Sequence, residues 1–154
     1  MTKPATDVIS RLQGKTLCTA ESCTGGMIGA ALTAVSGASK VYKGGVVSYT
    51  NEVKHRLLGV DAGRLETEGA VSAPVARAMA MGARMALDAD IAVSVTGLAG
   101  PGGDEFGNPV GTVFIGYADE AVATTRHFLF EGDRESVRAQ AVDAALRLIL
   151  EYNP

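Results

Sequence analysis

The chain has 154 residues, 47% of them hydrophobic and 20% charged, with a formal net charge of −3 and a sequence pI near 5.4. That size and apolar content suit one globular domain, residues 1–154, with a core of its own. With 5% aromatic residues, no Trp and no Lys/Arg-rich run, the composition argues against nucleic-acid binding, which needs basic stripes and stacking platforms.

No apolar stretch approaches the length of a bilayer, and the N-terminus lacks the basic-then-apolar pattern of a signal peptide. A cytoplasmic chain with no membrane contact is therefore expected. Its two cysteines, Cys18 and Cys23, are too few for a disulfide framework. With only His55 and His127 besides, no metal site is expected.

In chain order, residues 7–13 read as a short opening helix with Val8, Ile9 and Leu12 apolar, closed by Gly14. Residues 16–21 form a β-type run that passes into an amphipathic helix over 24–35, which places Ser22 at the turn between them. Residues 41–50 are β-rich, with Gly44 and Gly45 marking a bulge or close approach. Asn51 then looks like the cap of a short helix over 52–58, ended by Gly59. Residues 60–69 are loop-like with room for a helical turn. Ser72 caps a long helix with Pro74 in its first turn, running to about residue 87.

The apolar run 90–96 reads as a buried strand that opens into the irregular, Gly-rich stretch 97–109. Residues 110–118 and 121–130 are β-rich runs on either side of Asp119 and Glu120, which suits a hairpin. Asp133 caps a final helix over 134–152. Alternating helices and strands with one hairpin indicate an α/β fold, a three-layer α/β/α sandwich with a mixed sheet.

Three segments end in polar residues where such a sheet offers a crevice: 22–26, 48–54 and 96–103. Ser22, at a strand-to-helix turn where backbone N–H groups are unpaired, is either a helix cap or a nucleophile. Lys54 and Tyr49 are its candidate activators, because a lysine of depressed pKa or a tyrosine hydroxyl can accept the serine proton. His55 is the rival base, and Cys23, at a helix start, is a rival nucleophile. No Gly-x-Ser-x-Gly elbow, P-loop or dinucleotide fingerprint is present. The residues alone point to a small anionic ligand and a possible hydrolysis.

Five ordered stretches, residues 19–26 (TAESCTGG), 45–54 (GVVSYTNEVK), 69–72 (GAVS), 96–103 (TGLAGPGG) and 109–112 (PVGT), resemble the CinA C-terminal domain family. Its characterised enzyme activity is that of a nicotinamide-nucleotide amidase. The resemblance implies hydrolysis of nicotinamide mononucleotide to nicotinate mononucleotide and ammonia, in pyridine-nucleotide salvage, with no cofactor. It implies Ser22 as nucleophile and places Tyr49, Lys54 and Thr96 in the family's other active-site motifs.

Glu21, Cys23, Thr24, Gly25 and Gly26 in the first motif are then expected to bind substrate, as are Gly97, Gly100, Gly102 and Gly103 in the fourth. The Ala/Gly-rich helices leave room for a homo-oligomer, as the family often forms. Two departures stand out. The larger N-terminal domain of many relatives is not expected within these 154 residues. Asn108 also stands where relatives often carry Lys, so the cationic phosphate contact expected there is not supplied. The alternative reading is a non-catalytic nucleotide-binding or regulatory protein, related to competence or DNA damage.

Overall fold

In the computed structural model, which describes residues 1–154, five strands form one mixed sheet with helices on both faces. The elements are α1 (Lys3–Arg11), β1 (Leu17–Glu21), α2 (Met27–Thr33), a 3-10 turn (Ala38–Lys40), β2 (Tyr42–Val47), α3 (Asn51–Leu58) and α4 (Ala62–Thr67). They continue as α5 (Ala73–Ala86), β3 (Ile91–Gly97), β4 (Thr112–Ala118), β5 (Ala123–Leu129) and α6 (Arg134–Tyr152). The strand order is β2-β1-β3-β4-β5. β1 runs parallel to β2 and β3, and β4 runs antiparallel to β3 and β5. This is the expected three-layer α/β/α arrangement with a mixed sheet.

The two faces of the sheet carry separate cores, and the period of two along the strands assigns residues between them. On one face Leu17, Val93, Val95 and Ile115 meet Val8 of α1, Ile28 and Leu32 of α2, and Ile149 of α6. On the other, Cys18, Ala20 and Ala92 meet Leu58 of α3, Leu65 of α4, and Val75, Met79 and Ala83 of α5. The central strands β1 and β3 are covered on both sides and buried almost throughout, with Thr19, Glu21, Ser94 and Thr96 as their polar members. β2 forms one edge and alternates between half-buried and exposed positions.

Local chemistry explains where the elements begin. α1 starts at Lys3 rather than residue 7, because Thr2 Oγ1 accepts from the Ala5 amide and Pro4 sits in the first turn. α2 starts at Met27 rather than residue 24. The chain first turns through Gly25 (φ +57°) and Gly26 (φ +107°), a left-handed pair open to glycine. The cap of α3 is Thr50, whose Oγ1 accepts from the Val53 amide, and Asn51 is its first helical residue.

The stretch expected to be loop-like holds α4, capped by the Asp61 carboxylate on the Arg64 amide. At the glycine pair of β2 the register slips, with Leu17 opposite Tyr42 and Cys18 opposite Gly44. The hairpin between β4 and β5 is closed by Asp119, whose Oδ1 accepts from the amides of Ala121 and Val122. No helix is long and apolar enough to cross a membrane.

α5 lies close on the sheet because Ala76, Ala80 and Ala83 face it. A Cβ at Gly116 of β4 would overlap both the Ala76 carbonyl and Ser94 Oγ, which itself donates to that carbonyl at 2.6 Å. Gly116→Ala is therefore expected to destabilise the fold by about 2–3 kcal/mol through overpacking, read as a lower urea midpoint at unchanged m-value. An unchanged midpoint would show that the α5–sheet contact yields freely.

Candidate active site

The carboxyl ends of three parallel strands meet at one edge of the sheet, the usual crevice of an α/β fold. Ser22 follows β1 directly, and its amide donates to the Val95 carbonyl of β3 at 2.9 Å. Ser48 follows β2, and its amide donates to the Glu21 carbonyl at 2.8 Å. α3 begins three residues later, which carries Lys54, one turn in, back over the end of β1. Lys54 is 1% exposed, and its Nζ donates to Ser22 Oγ at 3.0 Å and to the Ser48 carbonyl at 2.8 Å.

No carboxylate pairs with this ammonium. Burial disfavours its charge and brings the Lys54 pKa down to about 8, against an opposing contribution from Cys23. A fraction of the side chain is therefore neutral near pH 7, in contact with a serine hydroxyl. That is the arrangement of a nucleophile with its base.

His55 points elsewhere, with Nδ1 against the Val60 carbonyl at 2.8 Å. The Cys23 thiol does not become the low-pKa nucleophile that a helix start suggests. Burial pushes it up to about 11, and it stays protonated.

Ser22, Lys54, Tyr49 and Thr96 all line one cavity of about 450 Å³. Cys23, Gly97, Gly100 and Gly102 line it too, whereas Glu21, Thr24, Gly25, Gly26 and Gly103 do not. The Thr96 hydroxyl donates to the Ala70 carbonyl at 2.8 Å and so fixes one wall. Tyr49 stands at the exposed rim, where its hydroxyl accepts from Arg134 Nη2 at 3.1 Å and makes no hydrogen bond to Ser22 or Lys54.

Glu21 is 2% exposed, and its carboxylate is fully engaged with the start of α2. Oε1 accepts from Thr24 Oγ1 at 2.6 Å and from the Ile28 amide at 2.9 Å, and Oε2 accepts from the Gly29 amide at 3.1 Å. It supplies the cap that Gly26 cannot and so holds the Ser22 turn, with both carboxylate oxygens engaged there. Asn108 is occupied in a similar way. Its side-chain amide spans the Val71 carbonyl (3.2 Å) and Asp104 Oδ2 (2.7 Å), tying the Gly-rich loop to the lead-in of α5.

One cation at the cavity was not anticipated. Arg134 donates from Nη1 to the Gly100 carbonyl at 2.8 Å and from Nη2 to Tyr49, so it bridges the mouth. A signal was present in the sequence. Arginine directly after the Asp133 cap lies at the positive end of the helix dipole, where a cation is disfavoured unless something nearby uses it. A second groove, of about 650 Å³ between β5 and α6, is larger but holds no nucleophile, and its arginines are tied to Glu151 and Asp143.

Residues 2–153 match the sequence model of a family described as the CinA C-terminal domain. A CinA-like protein of Geobacter sp. (strain M21) is 48% identical over 94% of this chain, and one of Mycobacterium avium (strain 104) is 46% identical over 93%. The chain spans about a third of the length of these curated relatives, 35% and 34% respectively. Among solved structures, the competence-damaged protein (CinA) superfamily protein from Escherichia coli superposes with a TM-score of 0.94 at 39% identity. That match covers 97% of this chain and 88% of that one. The competence/damage inducible protein of Agrobacterium tumefaciens gives 0.92 at 38% identity, covering 99% and 94%.

Lys54→Met keeps the apolar stem and removes the buried charge, so it is expected to raise the unfolding free energy at pH 7 by about 1–3 kcal/mol. The penalty is fully present below about pH 8, where the lysine is protonated in both folded and unfolded chains. It is relieved between about 8 and 10.5, as the folded lysine gives up its proton first. Urea titrations of parent and variant at pH 7 and pH 10 should show the gap narrowing. A less stable variant at pH 7 refutes the account.

Proposed function

The chain belongs to the CinA C-terminal domain family, and from that membership and the geometry of the cavity we propose that it is an amidase. Its substrate in this reading is nicotinamide mononucleotide, hydrolysed to nicotinate mononucleotide and ammonia. The observation that carries the proposal is the 3.0 Å contact between the Lys54 ammonium nitrogen and Ser22 Oγ, beside a cavity of about 450 Å³. The substrate itself follows from the resemblance of the five motifs.

The steps balance as follows. Neutral Lys54 takes the proton of Ser22 while Oγ bonds to the amide carbon, giving a tetrahedral oxyanion. The amide of Cys23, a cavity-lining residue next to the nucleophile, has no backbone acceptor and is the donor assigned here to that oxygen. The C–N bond then breaks, the nitrogen takes the proton from the Lys54 ammonium, and ammonia leaves. Water attacks the acyl-enzyme, Lys54 takes its proton, and Ser22 is restored as the acid departs.

Arg134 at the mouth meets the phosphate, which explains how the site dispenses with a cation at Asn108. Tyr49 beside it offers its ring to the pyridinium, an attraction of cation and π-face.

Three results are expected. Purified protein should release ammonia from nicotinamide mononucleotide, and Ser22→Ala should fall below about a thousandth of that rate. Absence of release by the parent would overturn the proposal. kcat/KM should climb about tenfold per pH unit up to about pH 8 and level off above it, because only neutral Lys54 serves as base. A profile flat from pH 6 to 9 removes Lys54 from that role. Arg134→Ala should raise KM about 10- to 100-fold with a smaller change in kcat, as expected for a lost charged contact to phosphate.

A further inference from the structure

Arg138 lies one turn beyond Arg134 on α6 and reaches back to the turn that carries Ser22. Its Nε donates to the Cys23 carbonyl at 2.9 Å, and its Nη2 lies 3.4 Å from the Thr24 carbonyl. It is half-buried and forms no ion pair, so its charge is directed at these two peptide groups and at no carboxylate. The fit is close. A Cβ on Gly25 would come within 3.5 Å of Nη2.

The peptide plane makes this contact consequential. A trans peptide points its C=O and the following N–H in opposite directions. The Thr24 carbonyl, drawn to Arg138, is the other end of the peptide whose N–H belongs to Gly25. That Gly25 amide donates to the Ser22 carbonyl at 3.1 Å. The Ser22 carbonyl is in turn the other end of the peptide that carries the Cys23 N–H, which has no backbone acceptor and belongs to a residue lining the cavity. Guanidinium, Thr24–Gly25 peptide and Ser22–Cys23 peptide thus form one chain of hydrogen bonds in which each link polarises the next. The field of Arg138 also reaches the Cys23 side chain, where it acts to lower the thiol pKa against the larger effect of burial.

We infer that Arg138 is a positioning residue for catalysis. It orients and polarises the Cys23 amide as the oxyanion donor, acting through the Ser22–Gly25 turn and without touching substrate. The inference rests on the amidase reading for its catalytic consequence, but the device belongs to the turn and acts on any reagent that drives negative charge onto an oxygen next to Ser22.

The test compares parent, Arg138→Met, Arg138→Lys and Arg138→Ala in two assays. In ammonia release from nicotinamide mononucleotide, kcat should fall at least about tenfold in the Met variant while KM stays within about threefold. That is the split expected when an interaction made only in the transition state is weakened. In phosphonylation of Ser22 by a small alkyl fluorophosphonate, the second-order rate should fall by a similar factor. Millimolar ethylguanidinium should restore part of both rates in Arg138→Ala, which lost packing alone would not allow. The Lys variant retains a cation on α6 and covers the case in which the Met variant fails to fold.

Unchanged phosphonylation in the Met or Ala variant, or a raised KM at constant kcat, overturns the inference, as does a parent that does not label at Ser22. A parent that labels at Ser22 yet releases no ammonia sinks the amidase reading, while the phosphonylation comparison still decides the role of Arg138.

Discussion

A buried ammonium without a carboxylate partner is the constraint on which the site depends. Lys54 reaches the interior with only a serine hydroxyl and a backbone carbonyl to receive its hydrogen bonds. An acidic partner would hold the lysine charged and useless as a base, whereas water would return its pKa to the ordinary range. Its neighbours are arranged to avoid both. Glu21, the nearest acid in sequence to Ser22, directs its carboxylate into the first turn of α2. The thiol of Cys23 stays protonated, and the walls contributed by Thr96 and the Gly-rich loop limit access to solvent.

The same constraint accounts for the topology around the site. Three parallel strands end together, so three loops can each contribute one kind of group. The Ser22 turn follows β1, Lys54 follows β2 on α3, and the Gly-rich wall follows β3. Covering both faces of β1 and β3 makes this end of the sheet rigid, which a nucleophile and base held at hydrogen-bond distance require. The antiparallel pair β4 and β5 extends the sheet on the far side of β3 and leads into α6, which returns two arginines to the crevice.

Much of this was legible in the residues. The β-type run 16–21, the apolar run 90–96, the Asp133 cap and the Asp119–Glu120 break gave strands, a helix and the hairpin, because each rests on neighbours close in sequence. The α3 cap falls one residue earlier than Asn51, at Thr50. The starts of α1 and α2 were displaced by local chemistry of comparable strength: a Thr2 cap in one case, and two left-handed glycines in the other. At the site, the segments holding Ser22, Lys54 and Thr96 could be named, but what their side chains face could not. Glu21 reads as a ligand contact until the Ile28 and Gly29 amides are seen on its carboxylate. Arg134 left only the signal of a cation at a helix start and Arg138 left none, because helical periodicity does not say what lies over a helix's polar face. Their contacts on Gly100 and Cys23 lie 34 and 115 positions away.

Those long separations govern when the crevice can exist during folding. Ser22 and Lys54 are 32 residues apart, joined through β2 and the start of α3, but both guanidiniums come from the last helix of the chain. A partly folded chain, or one still being synthesised, can therefore bring hydroxyl and amine together while the mouth and the nucleophile turn remain loose. Closure of the most distant loop comes late, since contacts of greatest sequence separation carry the largest entropic barrier. The first and last thirds of the chain thus share one crevice, whose Ser22 turn and mouth are complete only with α6 in place.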